Sequence, residues 1–468
     1  MIKIPNRLKT LLLPCLLLLA VTLPHLDQGD FQRDTGRYAA VGLHMWTEGP
    51  LLAPYLDPQT PYFNKPPLAL WIHGAFLKVF GVRVAVACLP SVLAALGVLC
   101  LSVLTARRIG SRSEALVSGC VLALTYEFFR RTREISLDFW QLLFLMLAAY
   151  LVVTGAKSAR RWPVVAAGIP LGLALLCKPF VALGMIPVLA LWLALLGRAR
   201  WIALLLAAAL PLALLVAAPW HVYMWSVFGG AFVDRYLFHE VVERTRGHLK
   251  TGPVYYYAAV IATTYWPWLA AIVFESWRRW RGGLVRRRSR DLVVLGGAWC
   301  GLVLALLSLF PDKKINYGLS LYPMLSWVAA AGLCRLPWRA LGWWHRRGFA
   351  WLAPAAVAAL VVLSVAPVQF LKPPDKDWQA LFRWMDRESV GANQLCQQDL
   401  EPNEICYFYL KRGWWPGRFD SQATLRPTPA RPRLILSRST GADAASWKSV
   451  FRAGALVVYE VPVPMGSP

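Results

Sequence analysis

Apolar stretches of close to twenty residues recur along almost the whole chain, separated by short polar stretches. Runs this long predict membrane-crossing helices, because only a helix satisfies its own backbone hydrogen bonds within hydrocarbon. Barrel strands would alternate apolar and polar positions, and these runs do not. The pattern predicts eleven spans, at 10–26, 83–106, 115–129, 136–155, 162–177, 179–197, 201–220, 254–277, 292–310, 317–334 and 349–370. The third and fifth are short for a full crossing. If the third and fourth form a shallow hairpin instead, the side on which every later loop falls is unchanged.

The polar stretches divide the chain further. Two loops are long, 27–82 and 225–253, and both interleave Trp, Tyr and Phe with charge, the pattern of helices lying in the membrane interface. The tail from Lys372 to Pro468 has an amphipathic stretch around Trp378–Met385 and strand-like runs at Arg433–Leu436 and Ala455–Val461. The fold class expected is therefore an all-α polytopic membrane domain over 1–371, with interfacial helices in its two long loops. A small α/β soluble domain over 372–468 follows it. The first segment carries Lys3, Arg7 and Lys9 ahead of an apolar run from Leu11 to Leu23. It resembles a signal peptide, but no small-x-small cleavage site follows, so it is expected to remain as the first span. No internal repeat of the transporter kind is visible.

Composition sharpens this picture. The chain is 57% hydrophobic and 16% charged, well below the charge content of a typical soluble domain. A net charge of +25 raises nucleic acid as a partner. The basic residues are dispersed among the spans and line no single soluble face, which argues against it. They are instead a topology signal. With the N-terminus inside, twenty-two Lys and Arg fall in inner segments and six in the short outer loops, as the positive-inside rule requires. Both long loops and the tail then lie outside, at the periplasmic face of a bacterial inner membrane. Of the nine cysteines none has metal spacing, and seven lie in or beside apolar runs. Cys396 and Cys406 lie in the tail, where a disulfide between them stays open.

Several charged residues on the outer face have no topological reason to be there. Asp34, in Asp34-Thr35-Gly36-Arg37-Tyr38, follows the first span at the lipid–water boundary, where it can act as a general base; the alternative is a helix cap, with Arg37 one turn on. Lys65 stands in Asn64-Lys65-Pro66-Pro67, where the prolines forbid a helix, so it is either held against a phosphate or snorkelling from a surface turn. Asp138 opens a span just after Arg130, Arg131 and Arg133, as a pocket acid or as a dipole-favoured helix start. Lys178 lies between two apolar spans and needs an anionic partner, ligand or carboxylate. Arg244 and His248 stand in the second long loop, and Lys313, Lys314 and Tyr317 form another short outer loop. Five cationic loops on one face make an anion site, and the lipid surface makes an anionic lipid the natural ligand. Walker, dinucleotide and nucleophile-elbow signatures are missing from the sequence. A transporter or flippase of lipid-linked sugars, or a non-catalytic envelope scaffold, are the alternative function classes. The near absence of mid-span charge argues against the first.

In this order, the segments Asp34–Tyr38, Tyr62–Pro67, the Asp138 span start, Lys178-Pro179, Pro219-Trp220, Glu240–His248 and Lys313–Tyr317 resemble the GT-C superfamily of polyprenyl-phosphate-sugar glycosyltransferases. The likeness is strongest to the branch with the aminoarabinose lipid A transferase and the protein O-mannosyltransferases, and it covers about Asp30 to Pro323. The resemblance implies an inverting transfer from a polyprenyl-phosphate sugar donor to a lipid, glycan or protein acceptor. Asp34 matches the family's catalytic acid. Lys65, Arg244 and the Lys313–Lys314 pair match groups that hold the lipid phosphate, and Asp138 and Lys178 match further pocket residues. Arg37, Tyr38, Arg133, His248 and Tyr317 complete the expected substrate-binding set. Many relatives have Asp-Glu where this chain has Asp34-Thr35, and a Glu where it has Asn64. A divalent metal therefore stays open, and no other cofactor is implied.

Overall fold

The computed structural model of the chain describes residues 6–27, 31, 33–178, 182–236, 238, 252–281, 287–311, 313–335, 376–391, 394–397, 400, 402–413, 415, 417–418, 434–438 and 448–460. The chain is mostly helical. Its elements run α1 (Asn6–Thr22), α2 (Arg33–Thr47), the hairpin β1 (Tyr55–Asp57) and β2 (Thr60–Pro61), α3 (Leu68–Phe80), α4 (Val84–Ile109), α5 (Arg112–Ala123), α6 (Tyr126–Arg130), α7 (Leu137–Ser158), α8 (Arg161–Ala166), α9 (Gly168–Leu175), α10 (Met185–Leu195), α11 (Ala199–Leu204) and, after a π-helical turn over Leu205–Ala209, α12 (Leu210–Val233). They continue with α13 (Tyr256–Thr264), α14 (Trp266–Trp280), α15 (Arg287–Leu309), a 3₁₀ segment Ile315–Leu321, α16 (Tyr322–Leu333), α17 (Lys376–Arg387), β3 (Leu395–Gln397), α18 (Pro402–Arg412), β4 (Gly417–Arg418), β5 (Leu434–Ser437), β6 (Lys448–Ala453) and β7 (Leu456–Glu460).

Helices stand at the expected spans, except that 349–370 lies outside the described residues. Their lengths do not establish eleven full crossings. Among the described residues four helices are long and apolar enough to cross a membrane: Val84–Ile109, Leu137–Ser158, Ala199–Tyr236 and Arg290–Leu309. A fifth is reached if the pair Tyr256–Thr264 and Trp268–Arg278, bent by 114°, counts as one crossing. Shorter apolar helices such as Thr10–Thr22, Arg161–Leu175 and Met185–Leu195 accompany them. Apolar composition runs on through turns and breaks, so a hydrophobic run in sequence overstates the length of unbroken helix. The chain is a multi-pass membrane protein.

Two compact units form, and neither is a single stretch of chain. The first comprises Met1–Leu26, Phe63–Ile72 and Cys88–Val368; the second comprises Asp27–Tyr62, His73–Ala87 and Gln369–Pro468. The C-terminal stretch, expected to begin a domain at 372, shares its unit from Gln369 with Asp27–Tyr62 and His73–Ala87.

In the first unit small residues let helices approach closely. Gly168-Ile169-Pro170-Leu171-Gly172 on α9 has the spacing that puts two glycines on one helix face. A Cβ on Gly168 would meet the Ala209 carbonyl at 2.4 Å, and one on Gly172 would meet the Val216 Cβ at 2.5 Å. α9 therefore lies flush against the segment that leads into and forms α12. Ser111 caps α5 in a reciprocal capping box with Glu114. The buried Glu114 and Glu275 are bridged by Arg335, at 2.9 and 3.3 Å, and Arg278 donates to Glu275 at 3.1 Å. Lys157, at the end of α7, pairs with Asp291 at the start of α15.

In the second unit a five-stranded sheet has the order β4-β3-β5-β7-β6, with β3 parallel to both β4 and β5, and β7 antiparallel to β5 and β6. α18 connects β3 to β4 as a crossover. The amphipathic stretch around Trp378 is α17, which buries Trp378, Leu381, Trp384 and Met385. Cys396 and Cys406 are free thiols, which corrects the disulfide left open from sequence. Cys396 lies on β3, while Cys406 is buried on α18 with its thiol directed at the Leu56 carbonyl, 3.8 Å away. His73 on α3 is wholly buried and hydrogen-bonds the Ala87 carbonyl through Nδ1 at 2.8 Å. Burial holds its pKa down to about 4.

Gly172→Leu forces α9 off α12 and lowers the thermal midpoint in detergent by an amount equivalent to roughly 1–3 kcal/mol. Gly297→Ala, on α15 with no heavy atom within 4 Å of the added Cβ, leaves the midpoint unchanged or raises it. His73 is neutral in the folded chain and would titrate near 6.5 when unfolded, so its stabilising contribution is present above about pH 6.5. It is lost as pH falls toward 4, the folded value. His73→Asn keeps a donor for Ala87 and flattens this part of the stability–pH curve, read by thermal unfolding across that window.

Candidate functional site

The chain builds one polar cluster in the first unit by closing three loops on the start of α7. Ser91 of α4 accepts from the Ser136 N–H at 2.9 Å and donates to the Glu134 carbonyl at 2.8 Å. This pins the residues just before α7 and so places Asp138 in its first turn. Lys178, beyond the end of α9, is brought back to the same point, because Gln141 one turn along α7 donates to its carbonyl at 2.5 Å. The Lys178 ammonium then pairs with Asp138, and the two side chains are about equally shielded, 15% and 16% exposed. Asn316 donates to the other Asp138 oxygen at 3.3 Å, and the Lys178 ammonium lies 5.7 Å from the centre of the Tyr317 ring. The charge of Arg131 also reaches Asp138.

The loop that supplies Asn316 and Tyr317 is itself held. Tyr257 on α13 accepts from the Lys314 N–H at 3.3 Å and donates to the Lys314 carbonyl at 3.2 Å. Lys313 is buried. Its ammonium donates to the carbonyls of Leu307 and Ser308 at 2.7 and 2.8 Å and sits over the Tyr257 ring. Lys313 thus satisfies the C-terminal end of α15, where a cation is favoured. Among the described residues the Lys314 side chain has no ion-pair partner.

The neighbouring arginines divide into two kinds. Arg130 and Arg131 are shared between Glu127 and Glu134, at 2.8 to 3.5 Å. Arg133 is buried, donates to the Val21 carbonyl and lies 5.9 Å from the Phe129 ring centre. It therefore meets α1 rather than the Asp138 carboxylate. Lys65 occupies the proline-bounded turn between β2 and α3, half-buried. Phe63, two residues earlier, sits edge-on to Phe228 and Phe232 with ring centres 5.0 and 5.7 Å away. Arg244 and His248 lie outside the described residues.

In the second unit Asp34 lies within the first turn of α2, not at its cap, and pairs with Arg37. Asp34 is exposed. The Arg37 guanidinium lies 6.0 Å from the centre of the Tyr38 ring. Gly36 is required here by close approach, since a Cβ would lie 2.2 Å from the Phe31 carbonyl oxygen. The chain before α2 folds back on its own first turn, and only a glycine leaves room.

Sequence reasoning therefore named the two carboxylates and Lys178 but passed over Asn316, Gln141 and Tyr257. Asn316 lay inside the segment already singled out, and a neutral side chain carried no charge signal. Tyr257 was visible only as one of three consecutive tyrosines. Among the described residues no three His, Cys, Asp or Glu side chains converge as metal ligands do.

Comparison with known proteins gives this geometry a context. Residues 64–225 match the family of dolichyl-phosphate-mannose-protein mannosyltransferases. The chain is 28% identical over 305 residues to an undecaprenyl phosphate-alpha-4-amino-4-deoxy-L-arabinose arabinosyl transferase of Pseudomonas aeruginosa, covering 63% of this chain and 54% of that protein. It is 27% identical over 296 residues to an uncharacterized protein of Aquifex aeolicus, covering 63% of this chain and 65% of the relative. Each match thus spans less than two thirds of the relative. Among solved structures, ArnT from Cupriavidus metallidurans bound to undecaprenyl phosphate superposes with a TM-score of 0.72 at 19% identity, over 98% of this chain and 99% of that one. The oligosaccharyltransferase AglB from Archaeoglobus fulgidus superposes with a TM-score of 0.58 at 13% identity, over 92% and 69%. The chain thus shares its fold with ArnT, and in sequence it is similar to the protein mannosyltransferase family over 64–225 and to an aminoarabinose transferase over 305 residues.

Proposed function

We propose that the chain is an inverting glycosyltransferase that moves a sugar from a polyprenyl-phosphate donor to a lipid, glycan or protein acceptor at the periplasmic face of the bacterial inner membrane. The N-terminus is cytoplasmic and the C-terminal stretch periplasmic, as the positive-inside bias supports. The observation that carries the reading is the Asp138–Lys178–Asn316 cluster, with Lys314 beside it on a braced loop, in a chain whose fold matches a transferase crystallised with undecaprenyl phosphate.

The chemistry asks for two things. The departing group is a lipid phosphate, on which negative charge builds as the glycosidic bond breaks; preplaced cations stabilise that charge. Lys314, Lys178 and Lys65 take this role, with Arg244 as a further phosphate-side cation and Arg37, Tyr38, His248 and Tyr317 as further substrate contacts, while Lys313 and Arg133, held by backbone carbonyls, brace the site. The acceptor nucleophile must lose a proton as it attacks the anomeric carbon, and Asp34 is the base that takes it. A single displacement of this kind inverts the anomeric centre. Asp138 orients Lys178, so the ammonium is already positioned when the phosphate arrives.

Asp34→Asn in membranes supplied with a native lipid extract as donor is expected to lower transfer at least a hundredfold, the scale of losing a general base. Lys65→Ala is expected to raise the donor KM. Full activity in both variants at normal expression would remove the mechanism. A second test separates ligand binding from structure at the Asp138 cluster. Lys178→Met leaves the Asp138 carboxylate without its cation, lowering detergent stability by about 3 kcal/mol, the low end for breaking a buried pair, and it weakens undecaprenyl phosphate binding. The double variant Lys178→Met/Asp138→Asn regains the stability but not the binding, measured by thermal unfolding with and without undecaprenyl phosphate. A double variant that binds normally would make the pair purely structural.

A further inference from the structure

The C-terminal stretch does not form a compact unit of its own. It packs with the loop that carries Asp34, and α18 lies along α2 within that unit. α2 presents a buried face of Ala39, Ala40, Val41, Leu43 and Met45, and α18 presents Ile405, Cys406, Phe408 and Tyr409. Polar contacts fix the register of the two helices. Tyr409 shares a hydrogen bond with Thr47 at 3.3 Å. Its ring stacks on Trp415, centres 4.0 Å apart and 7° from parallel, and His44 of α2 meets the Trp415 ring edge-on at 5.5 Å. At the other end of the interface the Lys411 ammonium lies between two rings, 5.8 Å from the centre of Phe31 and 5.4 Å from that of Tyr407.

Phe31 is the residue whose carbonyl abuts Gly36, and it is buried three positions before Asp34. The start of α2 is therefore gripped twice: by its own fold-back at Gly36, and by Lys411 on the Phe31 ring. The end of α2 is held by Tyr409 at Thr47 and by the Lys78 ammonium of α3, which donates to the Trp46 carbonyl at 2.6 Å. Among the described residues Asp34 pairs with Arg37 on its own helix and with no residue of the C-terminal stretch. An exposed carboxylate on one turn of helix takes its direction from whatever holds that turn.

We propose that the C-terminal stretch of this protein is a positioning element for the Asp34 turn, and that Lys411, acting through Phe31, is a positioning residue for the reaction. The inference rests on Asp34 being the base, yet its structural half can be read without any substrate. Hydrogen exchange on the full chain in detergent reads the backbone directly. Lys411→Met combined with Tyr409→Phe is expected to speed exchange in peptides covering 31–38 by about tenfold, the product of one lost hydrogen bond and one lost cation–π contact. Peptides from 137–158 are expected to keep wild-type rates.

Turnover supplies the second readout. With a native membrane lipid extract as donor, Lys411→Met is expected to lower kcat several-fold, with the donor KM and the thermal midpoint unchanged. Lys411→Arg, which retains the cation over the ring, restores kcat. Wild-type exchange at 31–38 in the double variant, or unchanged kcat in Lys411→Met where Asp34→Asn is inactive, overturns the proposal. Full turnover in Asp34→Asn instead removes the assignment of the base. The exchange result then still decides whether the C-terminal stretch holds this turn.

Discussion

A charge placed among apolar helices has to be met by an opposite charge or a strong dipole, and that constraint shapes the first unit from end to end. α7 runs from Asp138 to Lys157, roughly 30 Å at 1.5 Å per residue. Near Lys157 the account closes internally: Glu114, Glu275 and Asp291 are met by Arg335, Arg278 and Lys157. Near Asp138 it does not. Glu127, Glu134 and Asp138 stand against Arg130, Arg131, Arg133, Lys178, Lys313 and Lys314 among the described residues. The further Lys and Arg in the loops at the Lys157 end follow the positive-inside bias, whereas the cations at the Asp138 end run against it.

The surplus is also graded. Arg133 and Lys313 are occupied by backbone carbonyls, and Arg130 and Arg131 are shared between carboxylates. Of these described cations, Lys178 is balanced on Asp138, and Lys314 has its backbone clamped on both sides by the Tyr257 hydroxyl. A loop whose backbone is already held in place costs less entropy to order around a bound anion.

The second unit follows a different constraint. Its catalytic candidate is exposed and locally paired, so its placement depends on packing rather than on charge compensation. Gly36 admits the close fold-back at Phe31, and α18 supplies the surface on which α2 rests. This is why a segment more than three hundred residues away in sequence belongs to the same compact unit as Asp34.

The chain's apolar periodicity by itself determined that it is helical and membrane-embedded, and its lysine and arginine bias carried an orientation. Its charged outliers named Asp138 and Lys178, because ionised groups beside spans are conspicuous against an apolar background. The pairing of those two was not legible, since they lie forty positions apart and only the return of the chain after α9 joins them. Nor was the part played by Asn316, Gln141 and Tyr257, neutral groups whose value lies in where their donors and acceptors point. The limits of the spans were likewise decided in three dimensions, where the bend between α13 and α14 interrupts hydropathy that reads as continuous. Composition and period report how much of each residue type must leave water; which groups then meet depends on chain crossings and close packing, and those exist only once the helices are assembled.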